Sequence, residues 1–186
     1  MQTEARILDA TAGNRTIYTK KADPRIIYID IEPELQIPPD ALIDCTDTGF
    51  PNKSLHTIIF DPPHSFGHTK NRSYNTSPNN NNVKPEWGHH QVPAYYGADK
   101  YPTKRALKAF ILKAAMEFHR ILMDDGWILF KWGEIHSSAD LVLTLFNAAG
   151  FEEIMRTSRR YRKGSAGGVW VMLMKKDILK DGGQEE

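Results

Sequence analysis

The tetrapeptide Asp61-Pro62-Pro63-His64 is the part of this sequence best suited to chemistry. It follows the apolar run Leu55-His56-Thr57-Ile58-Ile59-Phe60, so its carboxylate stands where a strand gives way to a turn. Its carboxylate and the Pro62 carbonyl are hydrogen-bond acceptors at a strand end, where ligands of open α/β sheets sit. Positioning and electrostatics of this kind can carry a group transfer without a metal. Two consecutive prolines stiffen the chain at that carbonyl. His64 adds a flat imidazole, with Phe66 and Tyr74 close by in sequence.

Three earlier apolar runs also end in acids. The first closes on Asp9-Ala10-Thr11-Ala12-Gly13, the second on Asp30 and Glu32, the third on Asp44 and Asp47. In open α/β sheets, ligands bind outside the carboxyl ends of the strands. These residues are therefore candidates for one crevice. Gly13 permits close approach of backbone to a ligand, and Asp30 is placed to accept both hydroxyls of a ribose. Neither the dinucleotide glycine fingerprint nor a phosphate-cradling loop is present, which favours a ligand without a pyrophosphate. For Asp30, Asp44 and Asp47 a plain turn role is the competing reading.

The elements that must hold these residues follow from periodicity. Residues 5–10, 25–31, 41–45 and 55–61 read as four strands, and near-continuous apolar runs suit a parallel sheet covered on both faces. The segment 15–21 has room for two helical turns at most. Residues 64–103 keep no period and read as a long loop on the substrate side. Apolar residues from Ala106 to Leu122 recur at helical spacing, and Asp124-Asp125-Gly126 is expected to end that helix. A fifth strand is expected over 127–132, a helix from Ser137-Ser138-Ala139-Asp140 to Gly150, and a hairpin over 153–161 and 169–174. The fold class is thus α/β: one domain over 1–176, with a mostly parallel seven-stranded sheet, flanking helices, a C-terminal antiparallel hairpin and a polar tail over 177–186.

With these pieces in place, the sequence resembles the class I S-adenosylmethionine-dependent methyltransferases. Asp9 to Gly13, the acid after the second strand, and Asp61-Pro62-Pro63-His64 carry the likeness. The last resembles the Asp-Pro-Pro-aromatic motif of enzymes that methylate amino nitrogens, with His where Tyr, Phe or Trp is commoner. Phe130-Lys131-Trp132-Gly133-Glu134 and the terminal hairpin are similar to small methyltransferase-like proteins of phages and prokaryotes. The resemblance implies a Rossmann-like fold and S-adenosyl-L-methionine as cofactor, held by Asp9, Ala10, Thr11, Gly13, Asp30, Glu32, Asp44 and Asp47. It implies catalysis by Asp61, Pro62 and His64 on an exocyclic amine such as adenine N6 or cytosine N4. Phe66, Arg72, Tyr74, Trp87, Lys131, Arg159 and Arg160 are the expected substrate contacts. The alternatives are a binding module without turnover, or an amine or amide methyltransferase acting on protein or a small molecule.

Composition bounds the rest. The 186 residues carry a net charge of +1, but residues 64–105 hold six basic and two acidic residues. That segment, with its aromatic residues, fits a nucleic-acid partner, DNA or RNA and single-stranded in particular. A second basic group, Arg156, Arg159, Arg160, Arg162 and Lys163, can track phosphates or serve as a solvated edge. One cysteine, Cys45, excludes a disulfide and a Cys-rich zinc site. The four histidines of the loop segment, His64, His68, His89 and His90, lack a ligand spacing, so no metal is expected. No apolar run reaches membrane-spanning length and no leader pattern is seen, so a cytoplasmic location is expected.

Overall fold

The apolar runs of the first third become four parallel strands, and each hands its last residue to the same edge of the sheet. The structure, a computed structural model, describes residues 7–64, 66, 100–134, 137–159 and 168–176, with Arg159 described in its backbone only. Strands β1 (Ile7–Asp9), β2 (Ile26–Asp30), β3 (Ala41–Leu42) and β4 (Leu55–Phe60) are followed by helix α1 (Lys104–Ile121) and strand β5 (Leu122–Gly133). Helix α2 (Ala139–Ala148) and strands β6 (Phe151–Arg159) and β7 (Gly168–Lys175) complete the order. One seven-stranded sheet results, ordered β3-β2-β1-β4-β5-β7-β6. It is parallel from β3 to β5, and β7 is antiparallel to both β5 and β6. This is the expected α/β architecture with its terminal hairpin.

Both helices pack on one face. The inward row Phe60, Phe130 and Trp132 meets Phe118 of α1 and Phe146 of α2, with Phe60 and Phe118 rings 4.9 Å apart and Phe130 and Phe146 also 4.9 Å apart. Thr103 caps α1 by accepting the Ala106 N–H at 3.1 Å, and Ser138 caps α2 by accepting from Leu141. Among the described residues no helix covers the opposite face. Between β1 and β2 the chain makes turns, and side chains take the helix's place. Arg15 holds a left-handed φ of 53°, rare for a residue with a Cβ. Its guanidinium donates to the carbonyls of Lys21 and Pro38 and lies 3.7 Å over the Tyr28 ring. Tyr18 meets the same ring edge-on at 5.7 Å.

Three boundaries differ from the periodicity. Helix α1 stops at Ile121, and Asp124-Asp125-Gly126 lie inside β5. Leu122 already pairs with Leu55, and a register shift lets the two acids bulge outward, where Asp124 meets Lys53 at 2.7 Å. Gly126 sits where a Cβ would come within 2.7 Å of the His56 carbonyl, so that close approach to β4 requires glycine. Strand β3 is two residues long, and β6 begins at the buried Phe151. The tail 177–186 and most of 64–103 lie outside the described residues.

The β3–β4 connection is tied to α1 by a buried carboxylate. Glu117 accepts from the Thr48 backbone N–H at 2.9 Å and its hydroxyl at 2.6 Å, and from Nε and Nη2 of Arg120 at 2.8 and 2.7 Å. Burial alone would raise this carboxyl, but the Arg120 and Thr48 bonds outweigh it and hold it at about 2. A depressed folded-state value stabilises above the ordinary Glu range and loses that contribution as pH falls from about 4.5 toward 2. Glu117→Gln is expected to cost about 1.5–3 kcal/mol at pH 7, the range for charged hydrogen bonds. Urea unfolding at pH 7 and pH 3 should show the gap between wild type and variant narrowing in acid. A gap independent of pH would assign the loss to packing.

Candidate active site

The order β2-β1-β4 places a topological switch beside β1, where its two neighbours lead away in opposite directions. The chain leaving β1 follows both. Ala10 donates its N–H to Ile59 of β4 at 2.9 Å, and Ala12 donates to Ile29 of β2 at 3.0 Å. Thr11, between them, accepts the Asp61 N–H on its hydroxyl at 2.9 Å. This one segment therefore fixes the ends of β2 and β4 against each other. Gly13 follows with φ of 48°, and among the described residues no atom beyond its chain neighbours lies within 4 Å of the place its Cβ would take. Asp30 accepts the Gly13 N–H at 2.8 Å on one oxygen and the Glu32 N–H at 2.9 Å on the other. Ile31, just beyond Asp30, is 45% exposed, an apolar surface at the crevice that the sequence reading passed over.

Asp9 sits beneath this turn, 1% exposed. Its oxygens accept from the Thr11 N–H at 3.2 Å and the Tyr18 hydroxyl at 2.8 Å. Burial pushes its carboxyl up, outweighing these bonds, and with Asp61 and Asp30 adding to the rise it stands at about 6. Burial likewise pushes the Tyr18 phenol up, reinforced by Asp9. Asp9 thus braces the turn from inside the sheet.

Asp61 stands on the next strand. Phe60 pairs with Phe130, so Asp61 and Lys131 are neighbours on the face away from the helices. Lys131 Nζ donates to Asp61 Oδ2 at 2.6 Å. Burial raises the Asp61 carboxyl, with Lys131 opposing that rise more strongly than His64 does. Sequence reasoning placed Lys131 against substrate and did not pair it with Asp61. The available signal was that each residue directly follows the aromatic residue of a strand pair.

His64 turns back over the end of β5. Three of its ring atoms would lie 2.9–3.1 Å from a Cβ on Gly133, so the imidazole lies flat on that glycine. It meets Trp132 edge-on at 6.2 Å. One ring face is therefore committed to β5. Phe66 packs against the hydrophobic core, a packing role where a substrate contact was expected.

The remaining candidates separate. Glu32 lies at the crevice and pairs with Lys100 at 3.2 Å, which lowers its carboxyl. Asp44 follows β3, accepts the Thr46 N–H at 2.8 Å, and contributes to the raised phenol of half-buried Tyr101, after burial and Cys45. Asp47 is not brought to the crevice. Its neighbour Thr48 is bound to Glu117, and Asp47 acts electrostatically on Arg120 in the last turn of α1, at the amino ends of the strands. Arg156 is also committed. It pairs with Asp140 and Glu153, each at 2.6 Å, which raises it further, so the hairpin's basic group is partly neutralised. The backbone of Arg159 lies two strands from Gly133, through Gly168. Arg72, Tyr74, Trp87 and Arg160 lie outside the described residues, as do His68, His89, His90, Arg162 and Lys163. Among the described residues no helix is long and apolar enough to cross a membrane.

No protein-family model and no curated protein matches the sequence. Solved structures match in fold. The N-methyltransferase NodS from Bradyrhizobium japonicum WM9 is 11% identical with a TM-score of 0.55, covering 92% of this chain and 85% of that one. The 1,6-didemethyltoxoflavin-N1-methyltransferase of Burkholderia thailandensis, solved with S-adenosylhomocysteine, is 16% identical with a TM-score of 0.53, covering 94% and 72%. The PH0226 protein of Pyrococcus horikoshii OT3 is 10% identical with a TM-score of 0.57, covering 95% and 84%. The sheet order, the hairpin and these likenesses together show that the chain has the Rossmann-like α/β fold found in S-adenosylmethionine-dependent methyltransferases.

Proposed function

We propose that this chain is an S-adenosylmethionine-dependent N-methyltransferase acting on an exocyclic amine of a nucleic-acid base, adenine N6 or cytosine N4. The observation that carries the reading is a part-buried Asp61, its side chain 10% exposed, whose N–H is held by the Thr11 hydroxyl of the β1 turn. The proposed amine-orienting group and the proposed cofactor turn are thus one hydrogen bond apart. The open space over Gly13 and the Asp30 carboxylate beside it fit a nucleoside cofactor. Asp30 would accept the ribose hydroxyls and Ile31 would lie against the adenine. When bound, the cofactor would supply an electrophilic methyl carbon, with its neutral thioether as the leaving group.

Asp61 and the Pro62 carbonyl accept the two N–H bonds and aim the lone pair at that carbon. The amine's extra proton leaves to water after transfer. His64, seated on Gly133 at the end of β5, is the ring that would stack on the substrate base. The basic middle segment supports an anionic polymer as substrate.

Asp30→Ala is expected to weaken binding of S-adenosylhomocysteine by about 1–3 kcal/mol, since it removes both the ribose acceptor and the anchor of Gly13. Calorimetry reads this directly, and unchanged affinity would take Asp30 out of the site. The reading as a whole is tested by transfer of labelled methyl to DNA, RNA and protein fractions. Label in protein alone would replace the nucleic-acid substrate with a side-chain amine or amide. Cofactor binding without transfer to any fraction would favour a binding module.

A further inference from the structure

The carboxylate at the end of β4 already carries a cation. Lys131 reaches Asp61 at 2.6 Å, and the two side chains are 24% and 10% exposed. The contact is built into the sheet, because the Phe60–Phe130 pairing sets the two residues side by side. We propose that Lys131 is a specificity-determining residue. It restricts the site to amino nitrogens that are neutral at physiological pH, aromatic amines or carboxamides, and shuts out protonated alkylamines such as a lysine side chain. This rests on the N-methyltransferase reading above and names the substrate class within it.

Three physical arguments lead there. A carboxylate offers about four lone-pair positions, so Asp61 can hold Lys131 and still accept an N–H from a neutral amine. An ammonium ion on the same carboxylate would stand roughly 4–5 Å from the Lys131 charge. Like charges at that distance in a partly buried site lower affinity on the order of 100-fold or more. A protonated amine also has no lone pair and must first give up a proton. An aspartate carboxylate, even one raised by burial, is too weak a base to take that proton from an alkylammonium ion. The other charged groups nearby do not reverse this. Asp9 is 1% exposed beneath the turn, and Asp30 ends β2, on the far side of β1 from Asp61, so neither pairs with an ammonium ion there. His64 adds to the positive side when charged. A neutral nitrogen, with its lone pair and two N–H bonds, meets all these conditions unaided.

The test follows the Asp61 carboxyl carbon by NMR in the full chain labelled at aspartate, with methylammonium chloride as the cationic probe. In the wild type the Asp61 signal should not respond. In Lys131→Ala it should move saturably, as methylammonium takes the place of the missing charge. Lys131→Met keeps the side-chain volume if the alanine variant folds poorly, and should respond in the same direction. A saturable response of the wild type in the same concentration range would overturn the exclusion. An Asp61 signal identical in wild type and variants would overturn the pairing itself. Neither readout needs methyl transfer. Failure of the methyltransferase reading would instead appear as no heat with S-adenosylhomocysteine and no label transfer, leaving the charge result intact.

Discussion

Asp61→Ala is expected to bind S-adenosylhomocysteine within a few-fold of wild type and to lose roughly 10³-fold in single-turnover methyl transfer. The size follows from removing one preorganised electrostatic group from a site with little water, which typically costs 10²–10³ or more. In the proposed reading the side chain orients the amine, while the β1 turn is held by other bonds. Thr11 holds the backbone N–H of residue 61, and that N–H survives the substitution. Gly13 is held by Asp30. The loss should therefore appear in the chemical step and spare cofactor affinity, the pattern of an interaction made mainly in the transition state. Asp61→Asn keeps the shape and one acceptor oxygen, and should fall between the two. A wild-type single-turnover rate in the alanine variant would remove Asp61 from the chemistry. A parallel loss of S-adenosylhomocysteine binding would make it part of the cofactor site.

The largest expected effect on stability is at the preceding residue. Phe60 is fully buried and lies against Phe118 at 4.9 Å, with Phe110, Phe130 and Phe146 between 6.1 and 6.4 Å. It is where α1, α2 and the two central strands meet. Phe60→Ala removes a ring from a space its neighbours cannot refill, and is expected to cost about 3–5 kcal/mol. The urea midpoint should fall sharply at nearly constant slope. Ile154→Ala, at a half-exposed position of the β6 edge, serves as the contrast and should change stability by less than about 0.5 kcal/mol. A Phe60 variant as stable as the Ile154 variant would mean that the aromatic cluster is not the centre of the core.

Much of this architecture is written in short stretches of chain. The runs ending at Asp9, Asp30 and Phe60 are strands because β-branched and aromatic residues fit a pleated, buried surface. The helix before β5 declares itself by period, and Ser138 by its capping oxygen. Asp61-Pro62-Pro63 ends a strand because two prolines cannot continue one. Such signals depend on residues within a turn or two of each other, so they survive in the linear sequence. The same holds for Asp30 beside Gly13. Their candidacy followed from strand-end position, although the bond between them spans 17 residues.

What only tertiary structure decided are the partners of the charged groups. Lys131 lies 70 residues from Asp61, Glu117 lies 69 from Thr48, and Thr11 lies 50 from Asp61. No local pattern pairs them, because strand order and register bring them together. The same long separations decide where similar candidates come to lie. Asp47 and Asp44 look alike in sequence, yet one follows β3 into the crevice region and the other travels with Thr48 to the far end of α1. Arg156 looks like a free cation until α2 supplies Asp140. Local sequence set the strands, the caps and the acids at strand ends. Packing over long separations decided which acid is buried, which is paired, and which can still receive a ligand, because desolvation and pairing depend on neighbours the chain meets only when folded.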